Sequence, residues 1–184
     1  LLFLSCSEHH SHEYVVAGTY TQKEGHVDGK AEGLYILRFD THSGHLEITD
    51  TLKGCINPSY LSISDDGKNI YAVNETQKTE YKNGGYVSHF KEDKQGRWVL
   101  NKHMVSNGAY PRHITINEAK GKLYVSNYLE TVSVINLDPN GEMRDTEEII
   151  RISPADSISP RQDAPHPHMT IDGRDSTEIF ISDL

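Results

Sequence analysis

A unit of two short strands recurs along this chain and constrains its fold more than any other feature. Tyr60-Leu61-Ser62-Ile63-Ser64 is followed, across a turn, by Asn69-Ile70-Tyr71-Ala72-Val73-Asn74. His113-Ile114-Thr115-Ile116-Asn117 is followed in the same way by Lys122-Leu123-Tyr124-Val125-Ser126-Asn127. His168-Met169-Thr170-Ile171-Asp172 is followed by Glu178-Ile179-Phe180-Ile181-Ser182-Asp183. A first copy keeps only its second strand, Tyr14-Val15-Val16-Ala17-Gly18. The last residues of these second strands, Gly18, Asn74, Asn127 and Asp183, fall at steps of roughly 55 residues. A third strand is predicted over 34–39, 86–90 and 132–137, each followed by a glycine turn at Gly44, Gly96 or Gly141. Turn signals such as Asp65-Asp66-Gly67 and Ala119-Lys120-Gly121 separate the runs, and no long stretch carries a helical period.

The chain is therefore read as all-β. A strand-only unit of roughly 50 residues is the signature of a β-propeller blade, a small four-stranded sheet packed face to face with its neighbours around a channel. Three steps within 184 residues supply little more than three blades, whereas propellers take typically 4–8. Residues 13–184 are thus expected to be the N-terminal blades of a longer ring, and residues 1–12 a leader. Standing alone, such a fragment would present an unclosed blade face and is expected to be unstable or to aggregate.

Hairpin pairing then places the polar residues. Turns centred near residues 67, 120 and 175 put Tyr60 opposite Asn74, His113 opposite Asn127 and His168 opposite Asp183. All three pairs share one end of their hairpins, so radially arranged blades gather them on one rim. Loops leading to that rim carry Asn57-Pro58, Tyr110-Pro111-Arg112, Arg161-Gln162 and Pro165-His166-Pro167. Polar groups converging on a concavity mark a binding site. Asn74, Asn127 and Asp183 suit substrate binding, and equally suit capping or hydrogen bonding between blades. His166 and His168 share a strand face and have the spacing of metal ligands, but no acidic or thiol partner lies close by, and no metal is expected.

The 18 Lys and Arg against 27 Asp and Glu give a formal charge of −9, which disfavours nucleic acid and anionic lipid as partners. No apolar run is long enough to span a bilayer. Leu1 to Leu4 before Ser5-Cys6-Ser7 has the pattern of a lipoprotein signal-peptide tail, with Cys6 as the lipidated residue. That reading places the protein outside the inner membrane of a bacterium; without it, the cytoplasm is expected. The histidines of Glu8-His9-His10-Ser11-His12 belong to a polar spacer, and Cys55 reads as a small buried apolar side chain.

The ordered set Gly18-Thr19-Tyr20-Thr21, Gly33-Leu34-Tyr35, Asn57-Pro58-Ser59-Tyr60, Tyr71-Ala72-Val73-Asn74-Glu75, Pro111-Arg112-His113, Arg161-Gln162 and Pro165-His166-Pro167-His168 resembles the lactonase family of seven-bladed propellers. Its best-known members are 6-phosphogluconolactonases, and a fungal carboxy-muconate lactonising enzyme is similar in fold. The resemblance implies hydrolysis of a sugar-acid lactone, a step of carbohydrate metabolism, without a cofactor. It implies His113 and Arg161 as active-site residues; the family's second Arg and its Glu would fall beyond Leu184. On this reading His113 or His168 is the general base and Arg161 holds an anionic group. Asn127 and Gln162 donate to the oxyanion or to hydroxyls, and Glu75 and Asp183 orient the histidines. Asn74 and His166 complete the candidate substrate-binding set. Two other readings stay open: a non-catalytic propeller that binds a glycan or a protein, and a muconate-type cycloisomerase.

Overall fold

The computed structural model describes residues 12–25, 27–77, 84–153, 164–174 and 178–184. Cys6, Arg161 and Gln162 lie outside the described residues. The first sheet has three strands, ordered β1 (His12–Ala17), β4 (Leu34–Asp40) and β5 (Leu46–Leu52). A small hairpin, β2 (Lys23–Glu24) with β3 (Val27–Asp28), interrupts it. The second sheet runs β6 (Tyr60–Ile63), β7 (Asn69–Asn74), β8 (Tyr86–Glu92), β9 (Trp98–Val105). The third runs β10 (Pro111–Asn117), β11 (Lys122–Asn127), β12 (Thr131–Leu137), β13 (Met143–Arg151). A fourth begins with β14 (Pro167–Asp172) and β15 (Ile179–Asp183). Every pairing is antiparallel, and β10 lies between β6 and β14 as the innermost strands of neighbouring blades.

The two-residue period of a strand explains how blades hold one another. Ile70 and Ala72 of β7 face the first blade, in a core with Leu34, Ile36, Leu52, Cys55 and Phe90. Tyr71 and Val73 of the same strand face the third blade, in a core with Ile114, Leu123, Val125, Ile135 and Met143. A strand covered on both faces carries no polar alternation, which is why β7 is buried along its whole length. Cys55 is buried as expected, and burial pushes its thiol up to about 11. The third blade's outer turn also grips the second blade. Tyr71 donates its hydroxyl to the carbonyl of Gly141 at 2.5 Å. Gly141 has φ +77°, and a Cβ there would come within 2.7 Å of that hydroxyl. Only glycine meets both demands.

The predicted hairpin register is corrected by one residue. Tyr60 pairs with Val73, not Asn74, and His113 with Ser126, not Asn127. The turns Asp65–Lys68 and Glu118–Gly121 each contain four residues, so their centres fall between residues rather than on one. β10 also bulges between Pro111 and His113, which pairs Pro111 with Asn127. β14 bulges between Pro167 and Met169, so Asp183 faces Pro167 and His168 is the bulged residue. Bulges re-aim side chains out of the ladder. The repeat alignment shifts with them. The residue equivalent to Tyr60 and His113 is Met169, and His168 takes the place of Arg112.

Candidate active site

The polar residues still collect at one end, where the innermost strands begin and their neighbours finish. Asn57, fully buried at φ +45°, ties this end together. Its Oδ1 accepts the backbone N–H groups of Thr21 and Gln22 at 2.9 and 3.0 Å, and its Nδ2 donates to the Glu75 carbonyl. An asparagine tolerates the left-handed region and supplies both a donor and an acceptor. Tyr110 also has positive φ, at +53°, although it precedes Pro111. Its N–H donates to Thr76 O and its carbonyl accepts from Tyr128 N, both at 3.0 Å. A tyrosine held there stores about 1–3 kcal/mol of strain, a feature that concentrates at functional sites.

These loops position a run of side chains across four blades. Glu75 is buried; its Oε2 accepts the Tyr20 hydroxyl at 2.8 Å, and its Oε1 lies 3.2 Å from Nη2 of Arg112. Burial and the neighbouring carboxylate push the Tyr20 phenol up to about 12. The Arg112 guanidinium stacks 4.4 Å over the ring of Tyr128, which in turn stacks on His166 at 4.4 Å and 10°. Asp183 accepts the backbone N–H of His166 at 2.6 Å, so it holds the approach to β14.

The histidine partners assign their tautomers. His113 is buried, packed 4.5 Å from the Tyr60 ring, and its Nδ1 lies 3.4 Å from the Thr115 hydroxyl, which can donate or accept, and faces the backbone N–H of Thr170 at 3.5 Å. A backbone N–H only donates, so Nδ1 carries the lone pair and the proton sits on Nε2. Burial, with a smaller contribution from nearby His168, pushes the His113 pKa down to about 4. His113 is therefore a neutral ring with an N–H donor. His166 is the reverse: its Nδ1 lies 3.2 Å from the Tyr128 carbonyl, so the proton is on Nδ1 and the lone pair on Nε2. His168 is half-buried at the β14 bulge.

Two candidates turn inward instead. Asn74 accepts the Ile56 N–H and donates to Ala72 O, Tyr86 O and Ser88 Oγ. Asn127 donates to Ser106 O and Thr131 Oγ1. Both are fully buried and tie the ends of their blades to the connections from the preceding blades. Among the described residues no group of three His, Cys, Asp or Glu could hold a metal ion. Tyr20 and Tyr128 are given no role by the sequence, and Arg112 is placed by it on a loop leading to the rim without one. The available signal was a charged or aromatic residue directly after each strand-end marker or before each innermost strand.

The family model described as "Lactonase, 7-bladed beta-propeller" matches residues 14–184. The chain is 27% identical over 169 residues to the 6-phosphogluconolactonase of Formosa agariphila, covering 91% of this chain and 46% of that protein. A Bacteroides uniformis structure provisionally named a 6-phosphogluconolactonase superposes with a TM-score of 0.78 at 28% identity, over 92% of this chain and 46% of that one. The periplasmic gluconolactonase of Pseudomonas aeruginosa superposes with a TM-score of 0.80 at 24% identity, over 95% of this chain and 48% of that one. At that identity the second structural likeness is one of fold. The chain thus spans about half the length of these relatives. With the family model matching residues 14–184, nearly the whole chain, the chain belongs to the seven-bladed β-propeller lactonase family.

Proposed function

We propose that the protein to which these blades belong hydrolyses the lactone of a sugar acid at this polar mouth. The observation that carries the reading is the convergence of a neutral imidazole donor, His113, a second imidazole, His168, and a stacked guanidinium, Arg112, on one rim. The relatives named 6-phosphogluconolactonase support the same chemistry. Because the chain spans less than half of the first of them, the activity is assigned to the whole protein.

In this mechanism water adds to the lactone carbonyl carbon, and the C=O π pair moves onto oxygen. His168 takes the water's proton as general base. His113 Nε2–H donates to the substrate, a role its tautomer suits better than that of base. Collapse of the tetrahedral adduct breaks the bond to the ring oxygen, which takes the proton from His168. One water is consumed, and one carboxylic acid and one hydroxyl are formed. Arg161 and Gln162 match the family's anchoring segment and are assigned to an anionic or hydroxyl group remote from the carbonyl.

The test is proton release by the full-length protein on a panel of aldonolactones, with and without a phosphate at the far end, corrected for spontaneous opening. Turnover above background is expected on at least one. No turnover, with lactonisation of a muconate or tight glycan binding instead, would move the assignment to the cycloisomerase or the binding-module reading. The location proposed is extracytoplasmic, through acylation of Cys6 in its lipoprotein-like leader. Globomycin should then make the full-length precursor accumulate in its native host; identical processing with and without the drug would remove the anchor.

A further inference from the structure

Arg112 has an arrangement that the hydrolysis mechanism has not used. The β10 bulge throws it out of the ladder, Tyr128 supports its flat face, and Glu75 holds one amine. Its Nε is nevertheless a buried nitrogen with no hydrogen-bond partner among the described residues. Thr76 Oγ1, on the fully buried residue next to Glu75, is a second buried polar atom without one. Ser59 Oγ, on the loop that carries Asn57, is a third. Buried polar atoms in native proteins are overwhelmingly paired, so this group on one rim points to a ligand that supplies missing partners.

Charge decides what kind of ligand. Glu75 already neutralises the guanidinium and is itself buried and held by Tyr20. A ligand group that arrives with its own negative charge would sit beside that carboxylate and be repelled. A neutral acceptor suffers no such penalty. Building on the lactone-hydrolase reading, we infer that Arg112, neutralised by Glu75, donates from Nε to the acyl oxygen of an uncharged lactone and is not an anchor for an anion. Once the ring has opened, the product carboxylate meets Glu75 and is pushed out.

The test is calorimetric binding to the full-length protein of two probes, gluconolactam, a neutral hydrolysis-resistant analogue, and gluconate, the anionic product type. The wild-type protein should bind the lactam at least about tenfold more tightly than gluconate. E75Q should raise gluconate affinity by about tenfold and leave the lactam unchanged. R112Q and R112K should each weaken the lactam by about tenfold or more, R112K doing so although it keeps the charge opposite Glu75. E75D, which draws the carboxylate back without removing it, should shift gluconate in the same direction as E75Q by a smaller factor. Gluconate affinity unmoved or lowered in both Glu75 variants, or lactam affinity unmoved in R112K, would overturn the inference. Neither probe requires turnover. Binding as described without hydrolysis of any lactone would end the hydrolase reading alone, and hydrolysis with unmoved affinities would end this one alone.

Discussion

His168→Ala in the full-length protein should lower kcat for lactone hydrolysis by about 10²–10⁴-fold, the usual loss for a general base. His168→Gln should do no better, because an amide cannot take up a proton. His113 should behave differently. Its Nδ1 is committed to the Thr170 N–H and burial keeps the ring neutral, so what it offers is an N–H. His113→Ala should cost about 10²–10³-fold, in the range for a lost oxyanion donor, whereas His113→Gln or His113→Asn should recover part of that loss. Steady-state kcat and KM for the five variants on one confirmed lactone separate the roles. Equal, unrescued losses at His113 would make it the base; losses below about tenfold at both positions would remove both from the chemistry.

The inner half of each blade was readable because its residues answer to burial. β7 and β11 were placed at their observed bounds from runs such as Asn69-Ile70-Tyr71-Ala72-Val73-Asn74, which both neighbouring blades cover. The outermost strands were not singled out. β13 contains Arg144-Asp145-Thr146-Glu147-Glu148, and most of that stretch faces water, so its composition resembles a loop. Nothing local distinguishes it from one; the hydrogen bonds from β12 make it a strand.

The site divides in the same way. His113, His166 and Glu75 were recognisable by type and by position against the repeat. The stack of Tyr128 on His166, and the ion pair of Arg112 with Glu75, join residues from different blades. No local pattern encodes such contacts. The bulges matter most here. By sequence alone His168 aligns with His113, and the two look like copies of one function. The extra residue in β14 moves His168 onto the Arg112 position and leaves Met169 as the true counterpart of His113. The two histidines therefore occupy different structural positions, and that is why different roles are assigned to them.

Acid should destabilise the folded protein well before its carboxylates are protonated, and His89 should be a main cause. His89 is fully buried in the second blade, stacked on Tyr71 at 4.6 Å. Its Nε2 donates to Asn69 Oδ1 at 2.9 Å, and its Nδ1 accepts from Asn101 Nδ2 at 3.1 Å. Both nitrogens are satisfied by the neutral ring. Burial, helped by Lys91 and Lys102, outweighs Glu142, 3.9 Å from Nδ1, and Asp138, which favour protonation, and pushes the pKa down from 6.5 to about 4. The sign follows from linkage. Below pH 6.5 the unfolded chain takes up a proton that the folded one refuses, so stability falls as pH falls, and the fall ends near pH 4. At about 1.4 kcal/mol per pH unit, His89 accounts for roughly 3 kcal/mol across that window. His113, pushed down to about 4 by the same burial, adds a loss of similar size. Urea titrations of the full-length protein at several pH values between 7.5 and 4 measure it. His89→Gln keeps a donor and an acceptor for Asn69 and Asn101 but does not titrate. Whatever it costs at neutral pH, it should flatten the decline by about 3 kcal/mol relative to wild type. A decline as steep in His89→Gln as in wild type would mean that His89 is protonated in the folded state, against the neutral ring its partners require.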